Sequence, residues 1–185
     1  MNFKPGILFL LLSVLVSQYC AGQDNKRLAG FGIEANAFKG TVIKHTAKFH
    51  LPVPELSTGM DVNFQWKTWG KKDWEIRRRY PIIGVGITYT NYGIDSIYGR
   101  CYSIYPNITI PLIAYKKLEW TLRIGNGVGY VTKAYSRITP VDTINNAIGS
   151  KLNDYATFMT DIRYHANEHW DLQAGMNFSH ISDAS

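Results

Sequence analysis

Residues Leu118-Glu-Trp-Thr-Leu-Arg-Ile-Gly-Asn-Gly-Val-Gly-Tyr-Val-Thr132 alternate between two kinds of side chain. One phase is apolar and holds Leu118, Trp120, Leu122, Ile124, Val128 and Tyr130. The other carries charges and glycines and holds Glu119, Thr121, Arg123, Gly125, Gly127 and Gly129. Because successive side chains of a β-strand point to opposite faces, the segment predicts a strand with one apolar and one polar face. An apolar outside around a narrow polar lumen is typical of a transmembrane β-barrel.

The same alternation recurs along the chain from residue 28 onward. Seven strands are predicted: Leu28–Phe38, Asp61–Trp69, Pro81–Asn91, Cys101–Ala114, Leu118–Thr132, Asp154–Ala166 and Trp170–Ser182. The predicted fold class is therefore all-β, an antiparallel up-and-down transmembrane β-barrel. A soluble β-sandwich also alternates, but its solvent faces usually carry more Lys and Glu and its strands are shorter. Residues 39–60 and 133–153 are predicted to be long loops, although Thr41–His50 could contain another strand.

The N-terminus has the features of an export signal. Lys4 supplies a positive charge, Ile7–Val16 supplies an apolar core of about ten residues, and Cys20-Ala-Gly22 supplies small residues before a cleavage point. We therefore predict a signal peptide at 1–22 and an outer-membrane barrel domain at 23–185. Lipidation of Cys20 is the alternative processing. Removing the signal leaves Cys101 as the only cysteine, which excludes an intramolecular disulfide.

The net charge of +6 is partly concentrated in Lys71-Lys72 and Arg77-Arg-Arg79. An export signal argues against nucleic acid as the partner. The segment could bind the phosphate groups of an anionic glycolipid, or it could be an ordinary solvated loop. His165, Glu168 and His169 resemble a metal-ligand cluster, but a solvated turn explains them better because no further ligands follow. No metal and no cofactor is predicted.

The closing segment Asn177-Phe-Ser-His-Ile-Ser-Asp-Ala184 contains a base next to a nucleophile. His180 and Ser182 are two residues apart on the predicted last strand, so both side chains lie on one face. That face continues the apolar phase of Trp170, Leu172, Ala174, Met176 and Phe178, which predicts that the pair faces lipid. A histidine beside a serine is the minimum arrangement for a base-activated nucleophile. A nucleophile on the lipid side suits an enzyme that processes lipid.

On these residues the chain resembles the outer-membrane lipid A 3-O-deacylase (PagL) and acyloxyacyl hydrolase-like family. The resemblance implies an eight-stranded barrel and a serine esterase whose base is His180 and whose nucleophile is Ser182. It also implies an oxyanion region at Asp183 and Ala184, although Asp183 replaces the family's usual asparagine. The family's catalytic glutamate would fall about a dozen residues beyond the serine, past Ser185. We therefore expect a C-terminally truncated member, inactive by itself, that lacks the acid and the eighth strand.

The sequence thus predicts a lipid A 3-O-deacylase-like serine ester hydrolase of the bacterial outer membrane. Its substrate would be an acyl chain of lipopolysaccharide or a related lipid, and its oligomeric state is left open. The alternative function is a non-catalytic small outer-membrane barrel with a structural or adhesion role.

Overall fold

A computed structural model describes residues 30–43, 52–134 and 148–182 of the chain. The described strands are β1 (Phe31–Gly40), β2 (Ser57–Lys67), β3 (Ile82–Asn91), β4 (Arg100–Tyr115), β5 (Leu118–Val131), β6 (Leu152–His165) and β7 (Asp171–Ser182). One short helix, α1 (Asp73–Arg77), lies between β2 and β3. The predicted signal peptide at 1–22, including Cys20, lies outside the described residues, as does most of Thr41–His50.

The seven strands form one antiparallel sheet in which each strand pairs with its neighbours in sequence, in the order β1-β2-β3-β4-β5-β6-β7. The sheet curls into a nearly closed barrel, so the predicted up-and-down barrel is confirmed and the soluble sandwich is wrong. The register of each pair is constant except between Pro111 and Ile113, where a bulge shifts the β4–β5 register. Such a bulge is expected where a proline cannot donate to the ladder.

The barrel is polar inside and apolar outside, as the alternation predicts. On β5, Arg123 and Thr121 have no solvent-exposed surface, whereas Trp120 is 45% exposed. On β6, Arg163 is buried, whereas Ile162 is 59% exposed. Burying charged side chains while exposing large apolar ones is unfavourable in water, and it is the arrangement of a barrel whose outer wall faces hydrocarbon.

A network of charges and hydrogen bonds fills the interior. Arg123 donates to Glu34 on β1, and Arg163 donates to the same carboxylate at 3.1 Å. Asp61 on β2 accepts hydrogen bonds from Thr88 at 2.6 Å and from Tyr105 at 2.5 Å. Buried charges are tolerated when they are paired and hydrogen-bonded, and here the pairs join strands that are distant in the sheet.

Glycines make room for one of the largest fully buried side chains, that of Tyr105 on β4. A Cβ atom at Gly86 on β3 or at Gly125 on β5 would collide with its ring. Both glycines lie inside predicted strands, and the structure places them at positions where a narrow lumen has to admit an aromatic ring.

Two details of the predicted elements were wrong. Strand β2 begins at Ser57, so Ser57–Met60 is not part of the preceding loop. Burial alternates along these residues, with Ser57 and Gly59 buried and Met60 exposed. The small residues Ser57 and Gly59 give little contrast in hydrophobicity, so the alternation is not visible in the sequence. Helix α1 was not predicted, because five residues are too few to show a helical period.

The two ends of the barrel differ in the length of their connections. At one end, here called the turn end, lie the connections at 68–81, 116–117 and 166–170. At the other, the loop end, lie the longer connections at 41–56 and 132–151 together with 92–99. Strand β7 runs towards the loop end and finishes there at Ser182. Within the described ranges, no helix has the length and apolar character to cross a membrane.

Candidate active site

His180 and Ser182 lie at the end of β7, at the loop end of the barrel, and both side chains belong to the outward-facing phase of the strand. The outward residues before them, Met176 and Phe178, are 77% and 51% exposed. The intervening residue Ile181 points inward and packs near Val131 and Cys101. The base and nucleophile types therefore stand side by side on the outer wall, beyond a stripe of apolar side chains.

The register of β6 against β7 defines what stands beside the pair. His180 is directly opposite Ala156, and Ser182 is directly opposite Asp154. Opposed residues on one face of an antiparallel pair have Cβ atoms about 4.5–5.5 Å apart. The carboxylate of Asp154 is therefore the nearest charged group across the ladder from Ser182, and it is a diagonal neighbour of His180.

A second polar side chain extends this row to β5. Asn126 is opposite Ala156 on the outer wall. Its Nδ2 atom donates to both carboxylate oxygens of Asp154, at 3.1 Å each, and also lies 3.4 Å from the Tyr155 carbonyl oxygen. The four polar side chains on β5, β6 and β7 thus form one outward patch, here called the outer polar patch: Asn126, Asp154, His180 and Ser182.

Sequence reasoning missed Asn126 and Asp154, although a signal for both was present. Asn126 interrupts the apolar phase of β5, and Asp154 opens the same phase of β6. An interruption on one strand has little meaning alone. Polar residues that interrupt the apolar phase of three neighbouring strands at the same level would have indicated a site. That alignment is known only once the strands are paired.

The surroundings of the outer polar patch are apolar. Val128 lies on β5 next to Asp154, and Phe158 on β6 is opposite Phe178; these side chains are 47%, 47% and 51% exposed. A serine and a histidine beside exposed hydrocarbon surface can bring a nucleophile to the ester of a long acyl chain. Asp183 and Ala184, predicted to form the oxyanion region, lie outside the described residues.

The histidines at the turn end belong to a different place. His165 lies 2.8 Å from Asp171 through Nδ1, and its Nε2 lies 3.9 Å from a carboxylate oxygen of Glu119. In the part of the chain that the structure describes, no three His, Cys, Asp or Glu side chains gather as metal ligands. His165 and His180 are separated by nine positions of the β6–β7 ladder, roughly 30 Å at about 3.4 Å per residue.

The basic segment also lies at the turn end, in the connection that contains α1. The backbone N–H of Lys71 donates to Glu75 at 2.8 Å, and the Arg79 side chain donates to the carbonyl oxygen of Leu112 on β4. The exposed aromatic side chains Trp69 and Trp74 lie beside it. Because the whole length of the barrel separates it from Ser182, it does not contribute to the outer polar patch.

Comparison with known proteins agrees with this geometry. The model of the family described as lipid A 3-O-deacylase (PagL) matches residues 55–185. No curated protein and no solved structure matches significantly. The matched region covers β2 to β7 and includes both His180 and Ser182. The chain belongs to the lipid A 3-O-deacylase (PagL) family.

Proposed function

We propose that the protein is a serine ester hydrolase of the outer membrane that removes an acyl chain from lipid A or a related lipid. The observation that carries the proposal is the common position of His180 and Ser182 on the apolar outer wall. A soluble substrate would be served by a cleft or a lumen. A nucleophile on the wall is accessible from the hydrocarbon itself, where an acyl ester is found.

The unequal ends of the barrel support a position in the outer leaflet. In outer-membrane barrels the short turns face the periplasm and the longer loops face the outside. By that rule the turn end is periplasmic, and β7 finishes at Ser182 on the external side. Lipopolysaccharide occupies the outer leaflet of this membrane, so its ester-linked chains and the outer polar patch are at corresponding depths.

The proposed reaction proceeds in two acyl transfers. In the first, Ser182 Oγ attacks the acyl carbonyl carbon while the His180 imidazole takes the hydroxyl proton. Collapse of the tetrahedral intermediate breaks the bond to the sugar oxygen, and His180 returns the proton to that leaving alcohol. In the second, water attacks the acyl-serine carbonyl while His180 accepts a proton from it. The bond between the acyl group and Ser182 Oγ then breaks, His180 returns the proton to Oγ, and the free fatty acid leaves.

Developing negative charge on the carbonyl oxygen needs hydrogen-bond donors in this mechanism. We propose the residues after the nucleophile, Asp183 and Ala184, as the region that supplies them through backbone N–H groups. The side chain of Asp183 is an acceptor when ionised, so it does not serve as the donor itself.

The test is deacylation by membranes that carry the protein expressed from its complete reading frame. Purified lipopolysaccharide is incubated with them, and released 3-linked fatty acid and shortened lipid A are measured by mass spectrometry. We expect Ser182→Ala and His180→Ala each to abolish release. Ser179→Ala is the matched control, because Ser179 lies on the same strand in the inward phase and we expect it to retain activity.

Equal deacylation by wild type and Ser182→Ala would contradict the role of Ser182. Absence of release from wild-type protein that is folded and correctly inserted would instead favour the non-catalytic barrel. Folding is checked separately by the mobility difference between boiled and unboiled samples in gel electrophoresis.

A further inference from the structure

The tryptophans mark the level of the membrane interface at the turn end. The chain contains five tryptophans, and all five lie at this end of the barrel. They are exposed: Trp66 near the end of β2, Trp69 and Trp74 between β2 and β3, Trp120 near the start of β5, and Trp170 just before β7. Tryptophan is enriched where the hydrocarbon of a membrane meets the lipid headgroups. The connection between β2 and β3, residues 68–81, therefore lies at the level of the headgroups.

Hydrogen bonds give the β2–β3 connection a defined conformation. Its two ends are joined, because the backbone N–H and the hydroxyl of Thr68 both donate to the Pro81 carbonyl oxygen, at 3.2 and 2.7 Å. Inside it, the backbone N–H of Lys71 donates to the carboxylate of the buried Glu75 at 2.8 Å. Its one carboxylate that faces inward is therefore used within the connection itself, and the basic side chains are left on the outside.

The return of the connection towards β3 is held against the neighbouring strand β4. The Arg79 side chain donates to the carbonyl oxygen of Leu112, a residue that the bulge leaves without a partner in the β4–β5 register. Arg79 and Tyr80 both have left-handed backbone conformations, with φ of 58° and 57°. Such conformations are unfavourable for residues with a Cβ atom and persist where the surrounding structure holds them. The connection therefore presents its exposed side chains from a fixed position on the barrel.

Three of those exposed side chains are cations available to a partner. The connection carries five basic and two acidic residues, a net charge of +3. Lys72, Arg77 and Arg78 are exposed, and within residues 30–43, 52–134 and 148–182 no ion pair involves their side chains. Arg and Lys bind phosphate oxygens through charge-assisted hydrogen bonds. The charge of the connection is therefore complementary to an anionic surface.

Exposed apolar side chains accompany the cations. Trp69, Trp74 and Ile76 are all exposed in the same connection. In water this exposure is unfavourable, whereas at the edge of a bilayer the apolar side chains enter the hydrocarbon and the cations reach the lipid phosphates. A soluble anion would be complementary to the cations alone, and only a lipid surface is complementary to both kinds of side chain.

We propose that the β2–β3 connection binds anionic phospholipids of the periplasmic leaflet: Lys72, Arg77 and Arg78 contact lipid phosphates while the exposed apolar side chains enter the edge of the hydrocarbon. Phospholipids form that leaflet, and lipopolysaccharide lies at the opposite end of the barrel. The inference takes the periplasmic position of the turn end from the proposed function and is independent of Ser182. It gives the barrel a second lipid-binding surface, in the leaflet opposite to that of the outer polar patch.

The tryptophans serve as reporters of the neighbouring lipid. Full-length protein is folded into phosphatidylcholine vesicles that contain a minor fraction of phosphatidylglycerol. In one vesicle set the phosphatidylglycerol is brominated, and in the other an equal amount of phosphatidylcholine is brominated, so that only the position of the quencher differs. We expect brominated phosphatidylglycerol to quench tryptophan fluorescence at least about twofold more strongly, because each cation near the surface attracts anionic lipid.

Two triple variants separate the connection from the total charge of the protein. The turn-end variant carries Lys72→Gln, Arg77→Gln and Arg78→Gln, and we expect it to be quenched equally by the two brominated lipids. The loop-end variant is the matched control with the same loss of charge at three exposed basic residues, and we expect it to keep the wild-type preference. It carries Lys39→Gln, Arg100→Gln and Lys151→Gln.

Equal quenching of the wild type by the two lipids would overturn the inference, as would a preference kept by the turn-end variant or lost equally by the loop-end variant. Should the turn-end variant fail to fold, the wild-type preference is measured in about 1 M sodium chloride, which screens charges, and its persistence there would overturn the inference. The vesicles contain no lipopolysaccharide, so this result and the deacylation assay can fail separately.

The leaflet is tested in intact cells. Lys72→Cys is treated with a maleimide polymer that is too large to cross the outer membrane. We expect labelling only after the outer membrane has been opened, and the wild type, whose Cys101 is buried, gives the background. Labelling of intact cells would overturn the periplasmic assignment of this surface, whereas the deacylation assay would still report on Ser182.

Discussion

Gln173 on β7 donates a hydrogen bond of 2.7 Å from Nε2 to Asn36 Oδ1 on β1, 137 residues earlier in the chain. In the described residues β1 and β7 are the two edges of the sheet, and their backbones do not pair. The same glutamine accepts a hydrogen bond from Arg163 at 3.3 Å, which in turn is paired with Glu34 of β1. Side chains inside the barrel therefore connect the two edges.

Replacing Gln173 by Leu is expected to lower the free energy of unfolding by about 1–3 kcal/mol, since it leaves Arg163 and the partly buried Asn36 without this hydrogen-bond partner. Equilibrium urea unfolding in phospholipid vesicles, followed by tryptophan fluorescence, measures the change. Gln65→Leu on β2 is the control, because Gln65 Oε1 has no hydrogen-bond partner among the described residues, so that its removal costs less free energy. Equal effects of the two substitutions would show that the contact between the edges contributes nothing.

Removing a charge from the interior ion network is expected to lower the free energy of unfolding much more. Arg123→Met leaves the carboxylates of Glu34 and Asp61 without their shared guanidinium, and removing one member of a buried pair costs about 3–5 kcal/mol. The double variant Arg123→Met with Glu34→Gln is expected to recover part of that loss. The same unfolding assay applies. Arg100→Met removes the exposed pair with Asp95 and is expected to leave the free energy of unfolding nearly unchanged.

Gly125 is in close contact with the Tyr105 ring, so a larger residue at 125 is expected to destabilise the barrel, and a smaller residue at 105 is expected to relieve the clash. Gly125→Ala forces a methyl group into the buried ring and is expected to cost about 1–3 kcal/mol. Gly40→Ala is the control, because a Cβ there meets no atom of the described residues within 4 Å. Combining Gly125→Ala with Tyr105→Leu is expected to cost less than the sum of the two single changes. Additive costs would contradict overpacking as the cause.

Because the outer wall is apolar, the free-energy cost of placing a lysine on it is expected to depend on the depth of the substituted residue in the membrane. Ile124→Lys, near the middle of β5, is expected to reduce folding into bilayers by about 2–4 kcal/mol, and Leu152→Lys, at the start of β6, by at most about 1 kcal/mol. Folding into vesicles of matched composition gives both values. Similar values for the two variants would argue that this wall does not face hydrocarbon.

The strands were predictable from sequence because membrane-facing alternation is a local property. On β5, the alternation from Leu118 to Val131 gave the strand, its faces and nearly its ends. The start of β2 was not predictable because Ser57 and Gly59 carry no hydrophobic contrast. The outward phase of His180 and Ser182 was also predictable, because side chains two residues apart on a strand lie on the same face. Their neighbour Asp154 did not, because its proximity to Ser182 depends on how β6 pairs with β7.

The filled interior decides how a lipid reaches the outer polar patch. Tyr105, Arg123 and Asp61 leave at most 1% of their surface accessible, so at this level the lumen is occupied by side chains and offers no passage. For the proposed reaction, both the approach of substrate and the departure of the fatty acid then occur by lateral diffusion within one leaflet. Turnover of such an enzyme follows the surface density of lipid in the membrane rather than its concentration in the bulk solution.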